Sequence, residues 1–322
     1  RRPEVLSGVG FFGGLFEFKG YNHPVLVSSV DGVGTKLKIA AALDKHDTVG
    51  VDLVNHSVND ILTTGADPLF FLDYIAMGKL VPERVEAIIK GLATACREVN
   101  CTLIGGETAQ MPGMYAEDDY DLVGCIIGVV EKEKIIMGQN VTAGDIIISL
   151  PSSGLHTNGY SLVRRVFAPG QFKQYYPELG RTLGEALLEP HRCSYRQLKQ
   201  LLPHIKGLAH ITGGGLLDNV PRILPPGVTA QFHSRSWTML PIFQIIQHQG
   251  KISRNEMYRV FNMGIGMVII CSPGEVARMT AALPEARVVG EVVAQVGEAT
   301  VIVDDDIVGH GKGKVTSTSP SS

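Results

Sequence analysis

The stretch SSVDGVGTK, Ser28 to Lys36, starts as a strand and ends in a tight glycine loop, and it carries one acid and one base, Asp31 and Lys36. Glycine directly after a strand marks a sharp turn or a backbone that something approaches closely. A phosphate cradle, a metal ligand on a loop and a plain turn all satisfy the stretch taken alone. Its flanks give the fold class. Upstream, HPVLVSSVD (23–31) is an apolar strand with Pro24 at its entry. Downstream, LKIAAALDKH (37–46) and GVDLVNHSVNDILTTG (50–65) read as helices, the second stopped by Gly65 and Pro68.

The alternation continues. LFFLDYIA (69–76) is a strand, PERVEAIIKGLATACREVN (82–100) a long helix with Pro82 in its first turn, and CTLIGG (101–106) a short buried strand. A loop, ETAQMPGMYAEDDY (107–120), and a strand, DLVGCIIGVVEK (121–132), follow. The polar stretch from Glu131 to Gly144 reads as a linker, dividing the chain into units 1–137 and 138–322. In the second unit DIIISLPSSG (145–154), MGIGMVIIC (263–271) and ARVVGEVVA (286–294) read as strands. SLVRRVF (161–167), GEALLEPHRCSYRQLKQLL (184–202, interrupted near Pro190), PIFQIIQHQG (241–250), RNEMYRVF (254–261) and PGEVARMTAAL (273–283) read as helices. VTSTSPSS (315–322) reads as a frayed tail. The class is α/β or α+β with two domains.

Composition narrows the function classes. With 322 residues, 44% of them hydrophobic, each unit can bury a core. A net charge of −3 without a basic run offers no footprint for nucleic acid or an anionic membrane. The longest apolar runs are too short to span a bilayer. Five cysteines without a CxxC pair read as buried reduced thiols in a cytoplasmic protein. The opening RRPEVLSGVG reads as a start within a longer protein.

Stepped at 100° per residue, the helix from Gly50 to Gly65 puts Val51, Val54, Val58, Ile61 and Leu62 on one arc and Asp52, Asn55, His56, Asn59 and Asp60 on the other. An amphipathic surface helix explains this pattern. So does a ligand-bearing face: its residues are short acids, amides and a histidine rather than Lys, Glu and Arg, and short oxygen ligands suit Mg²⁺. On the second reading Asp31, Asp52 and Asp60 hold Mg²⁺ on nucleotide phosphates and Lys36 supplies a charge to a phosphate. On the first, Asp31 is a turn residue and Lys36 the first exposed residue of a helix.

No GxxxxGK[ST] is present, which excludes a P-loop. GVGFFG (Gly8, Gly10, Gly13) has GxGxxG spacing but no strand before it, so it reads as a flexible loop. GGETAQMPGMY (105–115) ends a strand with two glycines and a carboxylate, which suits either a ligand or a plain turn. SSGLHTNGYS (152–161) and AHITGGG (209–215) each set a histidine, His156 or His210, beside glycines and small hydroxyl residues, a composition that suits a bound anion.

DGVGTK, VNDI, GADPLFFLDY, GGETAQMPGMY, SSGLHTNGYSLVR, HITGGG, NVPRILP and EMYRVFNMGIGM, in this order, resemble the aminoimidazole ribonucleotide synthetase (phosphoribosylformylglycinamidine cyclo-ligase) family over nearly the whole chain. The resemblance implies a two-domain fold: an N-terminal α/β domain whose sheet forms a barrel with a second subunit's in a homodimer, and a C-terminal α/β domain. It implies ATP and Mg²⁺ as cofactors and ATP-dependent ring closure of formylglycinamidine ribonucleotide. It assigns Asp31, Asp52 and Asp60 to the metal, and Asp31, Gly32, Gly34, Thr35, Asn59, Gly105, Gly106, Glu107 and Thr108 to the nucleotide. Ser153, Gly154, Asn158, His210, Thr212, Gly213, Gly214 and Gly215 fall on the substrate side, with Lys36 and His156 as the catalytic pair. Gln110 stands where Glu is common, and Asn55-His56 replaces a small and apolar pair. Such chains usually begin with a glycine-containing segment that helps cover the nucleotide, and here it is missing. Selenophosphate synthetase, thiamine-monophosphate kinase, the hydrogenase-maturation dehydratase and the larger formylglycinamidine ribonucleotide synthetase are sister readings. A non-catalytic nucleotide-binding subunit is the reading from another class.

Overall fold

The computed structural model describes residues 2–8, 10–295, 297–298, 300–304 and 307–309. The tail at 315–322 lies outside them. Two sheets organise the chain. The first is built from β1 (Pro24–Gly32), β2 (Asp67–Met77), β3 (Thr102–Gln110) and β4 (Tyr120–Glu131), in the order β1-β4-β2-β3. β4 pairs antiparallel with both β1 and β2, and β3 runs parallel to β2 at the edge. The helices of this half are α1 (Lys36–Leu43), α2 (Val49–Leu62) and α3 (Pro82–Glu98). The apolar arc of α2, Val54, Val58, Ile61 and Leu62, is buried, and Gly50 and Gly91 let α2 and α3 touch. A Cβ on Gly50 would stand 2.3 Å from the Ile88 carbonyl oxygen.

The near-continuous apolar character of these strands predicts cover on both faces, and within one chain only one face has it. Along β4, Leu122 and Ile126 are buried beneath the helices, whereas Val123, Cys125 and Ile127 are half-buried on the other side. On β1, Leu26 and Val30 point to that open side and are 65% and 66% exposed. Asp31, one residue on, is thereby turned toward α2. β3 is longer than the short buried strand expected, since pairing with β2 carries it through Glu107 to Gln110, and Gly106, Glu107 and Thr108 are exposed.

The second sheet has seven strands: β5 (Ile146–Pro151), β8 (Gly207–His210), β9 (Val228–Phe232), β10 (Ile265–Cys271), β11 (Arg287–Ala294), β12 (Val301–Val303) and β13 (Ile307–Gly309). A small hairpin, β6 (Tyr175–Tyr176) with β7 (Arg181–Thr182), stands apart. The order is β13-β12-β9-β11-β5-β10-β8, antiparallel except for β9 with β12. Every residue of β10 is buried. Around this sheet lie α4 (Tyr160–Val166), α5 (Leu183–Leu187), α6 (Tyr195–Leu198), α7 (Gly215–Asn219), α8 (Pro241–Gly250), α9 (Arg254–Val260) and α10 (Val276–Ala282). The connecting stretch after Glu131 is packed rather than loose: Ile136 and Val141 are buried, and the Ile136 N–H donates to the Thr64 carbonyl. The helix expected over 184–202 is two short helices, α5 and α6, with an irregular segment from Leu188 to Ser194 between them. That segment has its own task.

Candidate active site

The polar arc of α2 faces the second half of the chain, and most of it is spent on holding segment 189–194. Asp52 accepts the His191 N–H at 2.7 Å. The Asn55 amide donates to the His191 carbonyl at 2.7 Å. Asn59 donates to the Arg192 carbonyl at 2.8 Å and accepts the Ser194 N–H at 2.9 Å. An irregular segment has no ladder of its own to satisfy its backbone, and these side chains replace it. Asn59, expected at the nucleotide, is therefore buried and fully engaged elsewhere.

Lys36 and Asp52 also depart from expectation. Lys36 is not the exposed start of α1, nor does it offer an N–H to a phosphate. Its side chain is fully buried and its three donors go to Asp52 at 2.8 Å, the Glu189 carbonyl at 2.8 Å and the His156 carbonyl at 3.2 Å. Asp52 is as deeply buried, and burial pushes its pKa up to about 6 against the pull of Lys36. Its carboxylate, taken by Lys36 and the His191 N–H, is not brought to Asp31 and Asp60, which corrects the three-acid metal set.

Asp31 and Asp60 do come together, with two histidines. His56 Nε2 lies 2.6 Å from Asp31 Oδ2 and 3.7 Å from Asp60 Oδ2. His210 Nδ1 lies 2.8 Å from Asp60 Oδ1, and Ser29 donates to Asp60 Oδ2 at 3.1 Å. Burial opposes charge on His56, but the Asp31 bond and the Asp60 carboxylate outweigh it and hold its pKa above the usual value. Burial likewise opposes charge on both acids, and their histidine partners bring each below the ordinary carboxylate value. Burial pulls the His210 pKa down despite Asp60, whose Oδ1 its Nδ1 faces. Both acids keep exposed surface, 40% for the Asp31 side chain and 28% for Asp60, and His56, Asp60 and His210 bring potential ligand atoms within 4.8 Å of one another.

Behind this pair the site is closed. His156 stacks on His191 with ring centroids 3.9 Å apart, and burial drives both pKa values well below the usual one. His156 Nε2 accepts the Ser153 N–H at 3.1 Å, while its Nδ1 is buried without a partner. Ser153 donates to the Pro190 carbonyl, and Gly154 lies against Glu189. Thr157 bridges the two histidine sets, with its Oγ1 2.7 Å from His56 Nδ1 and 3.5 Å from His191 Nδ1.

The glycine loops differ from one another in what they need glycine for. Gly34 has φ +65° with open space around its absent Cβ, so there glycine serves the left-handed turn. Thr35, next to it, reaches Ser161 of the second half at 3.2 Å. In the other loop Gly215 combines φ +58° with the Tyr258 carbonyl oxygen 2.1 Å from a hypothetical Cβ, so there both turn and close approach exclude a side chain. The Asn219 amide ties down the carbonyls of Thr212, Gly213 and Gly215, and Gly214 caps α7 at φ +92°. Gly213 is exposed beside Asn158. A cleft of about 280 Å³ runs between β1 and this loop, lined by Ser29, Asp60, His210, Thr212, Asn219 and Arg222 among others. A larger cleft of about 390 Å³, under Arg2 and Phe16, contains none of the clustered acids and histidines. Gly105, Gly106, Glu107 and Thr108 are not brought to the site within one chain. β3 and β1 are opposite edges of the first sheet, about 14 Å apart at ~4.8 Å per strand spacing.

Reasoning from the sequence missed His191, Asn219 and Arg222 and gave no role to His56. His56 was visible on the polar arc of α2. His191 lay in what read as a helix, and nothing local marks it. Gln110, where the family pattern has Glu, accepts the Leu80 N–H.

The chain is similar to known proteins over most of its length. The family described as AIR synthase related protein matches in two parts, its N-terminal domain over residues 18–130 and its C-terminal domain over 142–303. A protein of Geobacillus kaustophilus named phosphoribosylformylglycinamidine cyclo-ligase is 53% identical over 307 residues, covering 92% of this chain and 89% of the relative. A Thermoanaerobacter protein of the same name is 53% identical over 303 residues, covering 91% and 90%. Among solved structures, thiamine-monophosphate kinase from Stenotrophomonas maltophilia superposes with a TM-score of 0.68 at 16% identity, over 94% of this chain and 92% of that one. The hydrogenase maturation protein HypE in complex with ATP gives 0.65 at 17% identity, over 96% and 88%. At those identities the structures speak for the fold alone.

Removing the Asn59 side chain tests the docking role of α2. Asn59→Ala leaves the Arg192 carbonyl and the Ser194 N–H without partners, an expected loss of about 2–4 kcal/mol in denaturant unfolding. Hydrogen exchange at the Ser194 amide is expected to quicken before the core opens. Unchanged stability and exchange would mean that α2 does not hold the segment.

Proposed function

The chain belongs to the AIR synthase related family, and from that membership we propose that it catalyses the ATP-dependent closure of formylglycinamidine ribonucleotide to aminoimidazole ribonucleotide, with release of ADP and phosphate. The observation that carries this reading is the likeness to relatives named for that reaction, which extends over nine-tenths of both chains. The N-terminal unit, to residue 137, would bind nucleotide, and the remainder would carry the substrate loops.

The chemistry accounts for the use of ATP. A formyl amide oxygen is a poor leaving group. Its attack on the γ-phosphorus breaks the bond to ADP and makes the oxygen a phosphate ester. A nitrogen of the same substrate then forms the new C–N bond, and phosphate leaves with the oxygen. The protein's contribution is positioning two anionic reactants and balancing charge on the transferred group. Asp31 and Asp60 would hold Mg²⁺, which when bound offsets charge on the phosphates. Both carboxylates face His56, Asp31 from β1 and Asp60 from α2, and each keeps exposed surface. Thr35, Gly32 and Gly34 border the nucleotide side. Arg222 and the Thr212–Gly215 loop, lining the cleft with His210, suit a substrate phosphate. Proton transfer at ring closure is assigned to His156: with Nε2 accepting the Ser153 N–H, its neutral ring carries its proton on the unpartnered Nδ1, which can donate it. The enzyme is placed in the cytoplasm, where its phosphorylated substrates are.

We also propose a homodimer. The open face of the first sheet, with Leu26, Val30, Val123, Cys125 and Ile127, is a contiguous apolar surface of the kind a second copy would cover, closing two half-barrels into one.

Asp60→Asn is expected to weaken Mg²⁺-dependent ATP binding and to cut turnover of formylglycinamidine ribonucleotide at least tenfold with the fold intact. Normal turnover with unchanged Mg²⁺ dependence would remove the acids from the site. Light scattering at micromolar concentration is expected to give twice the chain mass of 34.7 kDa, and a monomer would sink the dimer.

A further inference from the structure

All five cysteines are free thiols. Cys125, Cys193 and Cys271 stand in separate places, on β4, in the irregular segment before α6 and on β10. Cys96 and Cys101 are neighbours. α3 ends at Glu98, and Asn100 turns the chain through a left-handed φ of +54°. The Asn100 N–H then donates to the Arg97 carbonyl at 3.3 Å, and the Cys101 N–H donates to the Cys96 carbonyl at 2.8 Å. This pair of bonds is the Schellman ending of a helix, in which the side chains of the two residues paired by the outer bond come into contact. That contact is ordinarily apolar; here both partners are thiols.

The same outer bond, 2.8 Å long, limits how far apart the two backbones stand. With standard backbone dimensions it keeps the two Cα atoms within about 6.7 Å, under the ~7 Å beyond which a disulfide requires the chain to move. The thiols also interact: hydrogen bonding with the Cys101 side chain, and burial after it, hold the Cys96 pKa well above the usual thiol value. Both cysteines line a cleft of about 570 Å³ between α3, the start of β3 and the segment before β1, with Val5, Ser7, Ala93 and Leu103. Cys96 is 2% exposed and Cys101 6%, so the cleft brings only a small reagent to them.

We propose that Cys96 and Cys101 form a peroxide-reactive dithiol that closes to a disulfide within one chain. Cys101, the more exposed, takes the first step. Its sulfur attacks one oxygen of hydrogen peroxide, the O–O bond breaks, a sulfenic acid forms and water leaves. The Cys96 sulfur then attacks the Cys101 sulfur and the S–O bond breaks. The departing hydroxyl takes the Cys96 proton and leaves as a second water. Two thiols have given up two electrons and two protons, and one peroxide has become two waters. The order suits Cys96, which stays protonated until Cys101 is oxidised. Because a backbone hydrogen bond already holds Cys101 against the last turn of α3, closure leaves α3 and β3 in place, and a dithiol reductant reopens it. None of this depends on the reaction proposed above.

The test treats the full chain with hydrogen peroxide and reads its mass, its free thiols and its peptide map. The expected product is two hydrogens lighter, has lost two of its five free thiols, carries a Cys96–Cys101 link and reverts with dithiothreitol. Retention of all five thiols, a link that involves another cysteine or a second chain, or oxidation of Cys96 or Cys101 to the sulfinic level without a link overturns the proposal. Cys96→Ser removes the resolving sulfur and is expected to hold Cys101 as a sulfenic acid that dimedone traps. A variant that circular dichroism shows to be folded, yet forms no such adduct, overturns the proposed order of steps and the proposal with it. Where the variant does not fold, the parent measurement decides.

Discussion

A lysine ammonium with no exposed surface, Lys36, meets an equally buried carboxylate, Asp52, and the arrangement of the two halves depends on that contact. Burying two charges costs several kcal/mol per ion unless every donor and lone pair is served. Here the remaining donors of Lys36 find the Glu189 and His156 carbonyls, both from the second half, and Asp52 takes the His191 N–H. A salt bridge between neighbouring helices, α1 and α2, thus becomes a clamp on two segments that lie more than a hundred residues away. Asn55 and Asn59 extend the clamp along α2 by one and two turns.

The site follows from the clamp. With α2 fixed against segment 189–194, its next polar residues, His56 and Asp60, face Asp31 on β1 and His210 at the end of β8. The residues that fix the frame are buried, and those with exposed surface, Asp31, Asp60 and Gly213, line the open side. One helix face therefore does two jobs, split by burial: Asp52, Asn55 and Asn59 for assembly, His56 and Asp60 for the site. The mixed composition of that arc, acids and amides together without lysine, reflects both.

Much of the architecture was legible because it is local. The strands and helices of the first half, and the core strands β5, β10 and β11, follow from apolar runs and their glycine and proline boundaries. Where the reading failed, the deciding contacts were distant. Lys36 looks exposed until Glu189 is known to lie beside it. The helix over 184–202 has good local propensity, but residues 188–194 gain more from side-chain partners on α2 than from a helical ladder. β3 runs past its glycines because β2 offers register through Met77. Asp31 and Asp60 were singled out by their short side chains, Asp31 beside the glycines that follow its strand and Asp60 on the polar arc of α2. Asp52, with the same chemistry and on the same arc, was not separable from them, since nothing in the sequence reports which carboxylate meets a lysine.

The central claim, that the buried Lys36–Asp52 contact ties the halves together, is tested most directly by a double-mutant cycle on unfolding free energy with Lys36→Met, Asp52→Leu and the pair. Each single change leaves an uncompensated buried charge or donor set and is expected to cost about 3–5 kcal/mol. The double variant, which removes both charges, is expected to cost well under the sum of the two. Single variants within about 1 kcal/mol of the parent, or strictly additive losses, would contradict the account.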